Sequence, residues 1–334
     1  MSDTYTRVKD IKVNITTASV VGSIGLGMPL VITGKAAEAK AYTVCAKLSE
    51  VIDAGFDAET EVYKACEILL AQENKPEKFA VCACTEKVAE WLAANDDKDY
   101  RQVIALLGEE DSTVGELATA VAATENKMLF AAVKTKEELP VTQSDRVVCI
   151  VYNGESAHVE AALVGATAGL KTGSFTYKNI KLVGVEAEDL GVAEVDAIHA
   201  AGAMCILKKA GDVVTSEGKT TSGEYIDVID SKDYIINNIV YRAQKLLNDR
   251  PKLTFDNVGI SQLENTVTDV LADAYGNGII ATNEDGTPAY STSFATRAQS
   301  TEAERSARNY TGGSFKFDLA GAIHTATING TLVI

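Results

Sequence analysis

The sequence predicts a mixed α/β fold with an extended β-strand arm at each end. Three observations lead to this prediction. Buried strand-like runs alternate with helix-like runs between about residues 29 and 200. Residues 10–17 and 322–334 alternate apolar and polar side chains with a period of two, which is typical of a half-buried strand. The last segment is also uncharged and β-prone, so it would be an aggregation hazard if nothing covered it.

The first half of the chain supplies the alternating elements. After a glycine-rich joint, "PLVITG" is predicted as a short apolar strand, and "AYTVC" as another. Helical segments follow and end at Asn74-Lys75-Pro76, before the buried strand "KFAVCAC". Residues 85–107 are predicted as further helix with acidic breaks, and residues 113–133 as a helix followed by a strand. "DRVVCIVYN" is predicted as a buried strand and "ESAHVEAALVGATAG" as a small-residue helix that packs closely.

The second half changes character. "GSFTYKNIKLVGV" is predicted to begin a new strand, and residues 192–250 to form a helix, a strand pair and then a long helix. That long helix carries an apolar face from Tyr234 to Leu247. Residues 259–280 are predicted as another amphipathic helix, and Gly312-Gly313 as a hinge before the terminal arm.

Composition limits the classes of partner. The net charge is -16 and the pI is about 4.7, which argues against nucleic acid as a partner, since phosphate backbones require a basic face. The N-terminus lacks the pattern of a secretion signal, and the apolar stretch "IGLGMPLVI" is too short to span a membrane. We therefore expect no membrane partner and a protein that is made in a cytoplasm.

We expect no metal, no cofactor and no catalytic residue. The six cysteines lie in apolar segments, and Cys82-x-Cys84 has no second pair that would complete a metal site. "GSIGLGMP" does not match a dinucleotide loop, and "EGKTT" lacks the first glycine of a phosphate loop. His158, His199 and His324 have no paired acid or nucleophile that the sequence identifies.

The basic residues at the end of the long helix have two interpretations. Arg242, Lys245 and Arg250 suit the negative end of a helix dipole and could simply be solvated. On so acidic a protein they could instead form a local docking face for an acidic partner. The sequence leaves both interpretations open.

Three runs carry a resemblance to a known family. "AYTVCAKLSEVIDAGFDAETEVYKACEILLAQENKPEKFAVC" resembles the early part of contractile-tail sheath proteins. "TSEGKTTSGEYIDVIDSKDYIINNIVYRAQKLLNDRPKLTFDNVGISQLENTVTDVLADAYGNGII" is similar to the C-terminal core of those proteins, and "ARNYTGGSFKFDLAGAIHTATINGTLVI" to their last strands. The order of these runs carries the resemblance, which covers most of the chain and is weakest over residues 85–195.

The resemblance implies a function and a set of partners. A sheath subunit polymerises helically around an inner tail tube through strand exchange, and it contracts to drive the tube through a cell envelope. Implied partners are other copies of the chain, the inner tube protein, and baseplate and tail terminator proteins. The implied location is the tail of a virion or phage-like particle that assembles in the bacterial cytoplasm. A non-contractile tube or shell protein and a cytoplasmic α/β enzyme are the alternatives.

The resemblance also assigns regions and residues. The expected regions are an N-terminal arm over residues 1–20, an α/β domain over 21–200, a C-terminal core over 201–312 and a strand arm over 313–334. The expected arm contacts are Ile11, Val13, Ile15, Ile323, Thr325, Thr327, Ile328, Leu332 and Ile334. The expected tube-facing residues are Arg242, Lys245, Arg250, Arg297, Arg305 and Arg308.

Overall fold

The structure is a computed structural model that describes residues 26–107, 110–124, 126–328, 330 and 332. In chain order its strands are β1 (Leu30–Thr33), β2 (Lys40–Cys45), β3 (Phe79–Ala83), β4 (Gln102–Leu106), β5 (Met128–Val133), β6 (Val147–Val151), β7 (Ile206–Lys209), β8 (Asp212–Thr215), β9 (Tyr290–Phe294) and β10 (Gly313–Phe317). Its helices are α1 (Leu48–Asp53), α2 (Glu61–Ala71), α3 (Val88–Ala94), α4 (Val114–Ala122), α5 (Val159–Thr167), α6 (Val192–Ala200), α7 (Ile226–Asn248), α8 (Asn257–Gly276) and α9 (Glu302–Ala307). A short 3-10 helix spans Lys136–Glu138.

A six-stranded sheet in the order β2-β3-β1-β4-β5-β6 organises the first half of the chain. Its strands are parallel except for β2, which pairs antiparallel with β3 at one edge. Strands β3 and β6 are buried along their whole length, as their unbroken apolar runs predict for a sheet that is covered on both faces. Successive side chains enter different cores, so Val31 packs on one face of the sheet and Ile32 on the other.

Helices cover both faces of this sheet. Helices α2 and α5 pack against each other on the face that contains Val31, and their small residues allow the close approach that the sequence predicts. Helices α3, α4 and α6 contribute to the core on the opposite face. The N-cap Thr113 forms a capping box with Glu116 at the start of α4, which satisfies backbone donors that the helix itself leaves open.

The second half is built on two long helices. Helices α7 and α8 pack together, and their apolar residues form a third core with the residues that follow α8. The hairpin of β9 and β10 lies against α8. The first turns of α7 also enter the core of the sheet, through Ile226 and Ile229, so one helix joins the two halves of the body.

Two of the predicted elements are wrong. Residues 102–106 form strand β4 in the centre of the sheet and not a helix, because burial on both faces selects a strand for that short apolar run. Residues 173–185 form no strand beyond a single bridge between Lys181 and Val214, because the chain there runs over the β7–β8 hairpin. No helix in the described residues is long and apolar enough to cross a lipid bilayer.

Candidate assembly surface and domain junction

Among the described residues, the C-terminal segment makes its last main-chain hydrogen bond to the body at Ala320. Strand β10 is the last strand in the part of the chain that the structure describes, and two backbone hydrogen bonds continue its path: Ala281 N to Asp318 O at 2.8 Å and Ala320 N to Ile279 O at 2.9 Å. Gly321 follows with a φ of +63°, in the left-handed region that favours glycine. The segment that could act as an arm therefore starts after Ala320, eight residues later than the boundary placed at 313.

Beyond that point the apolar side chains face solvent. Ile323 is 90% exposed, Ile328 92% and Leu332 86%, and Thr325 and Thr327 are exposed as well. No strand is assigned to residues 321–328 in this chain. The other predicted arm residues, Ile11, Val13, Ile15 and Ile334, lie outside the described residues. Exposed apolar side chains on an extended segment mark a surface that another chain can cover.

The predicted hinge glycines lie inside the body. Gly313 is the first residue of β10 and pairs with Phe294, and the Gly312 carbonyl accepts a hydrogen bond from Ala295 N. A Cβ at Gly312 would lie 2.7 Å from the Ala295 Cβ, and one at Gly313 would lie 2.7 Å from the Phe294 ring. Close packing therefore explains why these two positions are glycine, without any need for a hinge.

The β9–β10 hairpin offers open strand edges. Within the described part of the chain, β9 and β10 pair only with each other. Phe315 is 40% exposed, and its ring stacks on Phe317 at 6.3 Å between centroids. A short two-stranded sheet with free edges and an exposed aromatic residue is able to accept a further strand.

The basic residues on α7 are surrounded by acidic ones. Arg242 forms an ion pair with Asp273, and Lys245 lies 2.8 Å from Asp249 in an exposed pair one helical turn away. Arg250 lines the same hollow of about 480 Å³, to which Asp269 also contributes. The neighbouring carboxylates offset much of the positive charge, so this surface is mixed rather than basic.

Arg305 and Arg308 lie on a different surface. They line a groove of about 800 Å³ whose walls include Leu247, Leu253, Phe255, Leu263 and Tyr310. Arg305 donates to the carbonyl and hydroxyl of Ser300, and Arg308 ends α9 with a φ of +55°. Arg297 lies nearby and donates through Nε to the Phe255 carbonyl at 3.0 Å. The predicted basic set is thus divided between two surfaces, and Arg305 and Arg308 lie beside an apolar groove.

A buried ionic network joins the sheet to α7, and the sequence did not predict it. Arg101 is completely buried just before β4, and its guanidinium contacts Asp230 and Asp233 on α7, with an NH1 to Oδ2 distance of 2.7 Å to Asp233. Arg146, just before β6, also binds Asp233, and the Tyr177 hydroxyl donates to Asp230 at 2.9 Å. The network ties two segments of the first half, and the loop that contains Tyr177, to helix α7.

Electrostatics within the network favour the charged arginine. Burial alone would lower the pKa of Arg101, but the carboxylates of Asp230 and Asp233 hold that pKa above its ordinary value. Burial raises the pKa of Tyr177 well above its usual range, and the neighbouring Asp230 acts in the same direction. The one local signal in the sequence was the pair Asp230 and Asp233, three residues apart and next to the apolar residues of α7.

The histidines and cysteines are held in structural contacts. His158 Nε2 lies 3.0 Å from Glu61 Oε2 and Nδ1 lies 3.5 Å from Glu160 Oε1, whereas the nearby Ser156 hydroxyl accepts from the Glu186 amide. His199 Nε2 lies 2.8 Å from the Ser216 hydroxyl. All six cysteines are free and buried, as their apolar surroundings in the sequence predict.

Comparisons with known proteins identify the fold. No family model matches the sequence, and no curated protein gives a significant match. Solved structures do match, over nearly the whole of both chains. A chain of the anti-feeding prophage (AFP) baseplate superposes with a TM-score of 0.74 at 15% identity and covers 97% of this chain and 98% of that one. The AFP helical sheath in its contracted state gives 0.71 at 14% identity, covering 96% and 97%.

The third similar structure comes from a different particle. The sheath complex of the extracellular contractile injection system PVC, also in its contracted state, gives a TM-score of 0.70 at 12% identity and covers 96% of each chain. The likeness therefore includes both the sheet domain and the α7–α8 core. The chain has the fold of contractile sheath proteins.

Proposed function

We propose that this chain is a structural subunit of a contractile sheath, which polymerises helically around an inner tube and contracts to drive the tube through a target envelope. The observation that carries the proposal is the fold likeness to contractile sheath structures over 96% or more of both chains. Because neither chain has a large unmatched part, the likeness concerns a whole subunit and not one shared domain. The implied location is the tail of a phage or phage-like particle.

Assembly would proceed by strand exchange. The C-terminal segment carries exposed Ile323 and Ile328, which have no strand partner among the described residues, and β9 and β10 have free edges within the same part of the chain. A donated strand gains affinity from main-chain hydrogen bonds and specificity from alternate side chains. Such a contact joins unlike surfaces of two copies, and contacts of this kind that do not close produce a helix. The N-terminal residues Ile11, Val13 and Ile15 are proposed to form a second exchanged strand.

Truncation after Gly321 tests this mechanism. We expect the shortened chain to remain folded, because the backbone bonds that fix Ala320 are retained, and to lose ordered assembly in electron micrographs. Ordered sheaths from the truncated chain would rule out strand donation by the C-terminal segment.

Single proline substitutions refine the same test. Thr325→Pro and Ala326→Pro each remove one backbone donor, and adjacent donors in a strand point to opposite edges. If the donated strand lies at the edge of the acceptor sheet, one substitution blocks assembly and the other does not. If it lies between two strands, both substitutions block assembly. Assembly by both variants would contradict the proposed pairing.

The inner tube is the proposed partner of the predicted basic residues. Arg305 and Arg308 are the strongest members of the set because they face an apolar groove, whereas Arg242 and Lys245 have acidic neighbours. We expect Arg305→Glu/Arg308→Glu to weaken tube-dependent assembly, and the exposed pair Lys134→Glu/Lys136→Glu, with the same change in charge, to leave it intact. Equal assembly by both double variants would show that the two arginines do not contribute to the interface with the tube. Baseplate and terminator proteins are further proposed partners.

Electron microscopy distinguishes the proposal from a non-contractile tube or shell. A contractile sheath appears in two forms, one long and narrow and one short and wide. A tube or shell of this chain would show a single form under every condition that triggers contraction.

A further inference from the structure

His324 behaves differently from the segment that contains it. Among residues 321–328, every side chain is exposed except that of His324. Its side chain is only 13% exposed, whereas the adjacent Ile323 is 90% exposed. If hydrophobicity alone decided which side chain is buried, Ile323 would be buried and His324 would be exposed. Specific contacts must therefore hold the imidazole against the body.

Three separate parts of the body provide these contacts. The Nε2 atom lies 3.0 Å from the Thr176 hydroxyl, in the loop after α5. The ring stands edge-on to Tyr225, the residue that precedes α7, with 5.0 Å between the ring centroids. The Nδ1 atom lies 3.7 Å from Glu217 Oε1, just beyond β8, which is close but too far for a hydrogen bond. A single side chain of the segment therefore lies against three separate parts of the body.

The direction of the hydrogen bond follows from the neighbours of Thr176. Its hydroxyl also lies 3.4 Å from Asp227 Oδ1, and a carboxylate can only accept. The single hydroxyl proton then points toward Asp227, so His324 donates through Nε2. The contact is polar and directional, and a hydrogen bond of this kind shifts an equilibrium by about tenfold. Such a contact is strong enough to select one orientation and weak enough to release it.

The chain between the two attachment points has room to move. Ala320 N is bonded to Ile279 O at 2.9 Å, and His324 is the next contact along the chain. Between them Gly321 adopts a positive φ, and no atom lies within 4 Å of the position that its Cβ would take. A cavity of about 270 Å³ lies under this stretch, lined by Thr176, Asp227, Leu319 and Gly321 among others.

We propose that His324 is a releasable clip that fixes the direction in which the C-terminal segment leaves the body. When the clip is closed, the segment available for donation begins at Thr325 and is already oriented. When the clip opens, the segment pivots about Gly321 while the body moves relative to the neighbour that holds the strand. The inference rests on the proposed function and adds to it the bending point of the arm and the contact that restrains it.

A double-mutant cycle tests the clip. His324→Ala and Thr176→Val each remove one side of the hydrogen bond, and the second leaves the segment itself unchanged. We expect each to raise the critical concentration for assembly about tenfold, because the segment must then be oriented at the moment of binding. We also expect faster hydrogen exchange at the Ala320 amide in the unassembled chain. The double variant should be no worse than His324→Ala alone.

Controls separate the clip from general damage. Thr176→Ser keeps the hydroxyl and should behave as the original chain, and His158→Ala removes a histidine whose partners, Glu61 and Glu160, do not contact His324. Normal assembly and normal exchange by His324→Ala, or fully additive effects in the double variant, would overturn the clip. If truncation after Gly321 abolishes assembly while His324→Ala does not alter it, the clip fails and the proposed function stands. If the truncated chain still assembles, strand donation fails, and the clip fails with it.

Discussion

Asp233→Ala should be among the most destabilising single substitutions on α7. The side chain of Asp233 is 5% exposed and pairs with two arginines, Arg101 and Arg146, through the same oxygen, Oδ2. Removing one partner of a buried ion pair costs about 3–5 kcal/mol, because a charge is left in the interior without compensation. Since Asp230 still pairs with Arg101 in this variant, we expect a loss near the lower limit, about 3 kcal/mol.

Urea unfolding followed by circular dichroism measures this loss. The matched control is Asp212→Ala, which breaks the ion pair of Asp212 with Lys181, in which both side chains are well exposed. We expect no measurable change in the free energy of unfolding for the control, because water screens exposed pairs. If Asp233→Ala is no more destabilising than Asp212→Ala, the network does not join the sheet to α7 as described.

Three further predictions concern other parts of the body. Burial alone would lower the pKa of His158, but the neighbouring carboxylates, first that of Glu160, raise it above the ordinary value of 6.5. Protonated His158 therefore stabilises the fold at a pH below 6.5, and this stabilisation is lost as the pH rises through the folded-state pKa. The difference in urea midpoint between the original chain and His158→Asn should therefore be largest below the ordinary pKa and should shrink as the pH rises through the folded-state pKa. Burial raises the pKa of Cys149 to about 12, so a disulfide reagent at neutral pH should label none of the six buried thiols until the chain is unfolded. Gly165→Ala should cost about 1–3 kcal/mol in urea unfolding because its Cβ would meet the α2 backbone, whereas Gly276→Ala, with no atom nearby, should be neutral.

The sequence predicted those elements that carry a local signal. The unbroken apolar runs of β3 and β6 and the helical periods of α7 and α8 are confirmed. Strand β4 was missed because a short apolar run has no period that separates a buried strand from a helix. The contact of Arg101 with Asp233 was missed for another reason. The two residues are 132 positions apart, and only the fold brings them together.

The glycine pair 312–313 shows why a flexible joint cannot be read from composition alone. Glycine serves both for conformational freedom and for close approach, and a sequence does not distinguish the two uses. Here Gly313 lies against the Phe294 ring, whereas Gly321 has a positive φ and open space around it.

Alanine substitutions distinguish the two uses. Gly313→Ala should lower the thermal stability of the body, because the hairpin must shift to admit a Cβ that would lie 2.7 Å from the Phe294 ring. Gly321→Ala should leave thermal stability nearly unchanged but alter assembly, because alanine disfavours the left-handed backbone there by about 1–2 kcal/mol. Calorimetry and sedimentation measure the two effects separately. If Gly313→Ala strongly reduces assembly but leaves the stability of the body normal, the bend at Gly321 is wrong. The arm would then bend at Gly312-Gly313, where the sequence predicts the hinge.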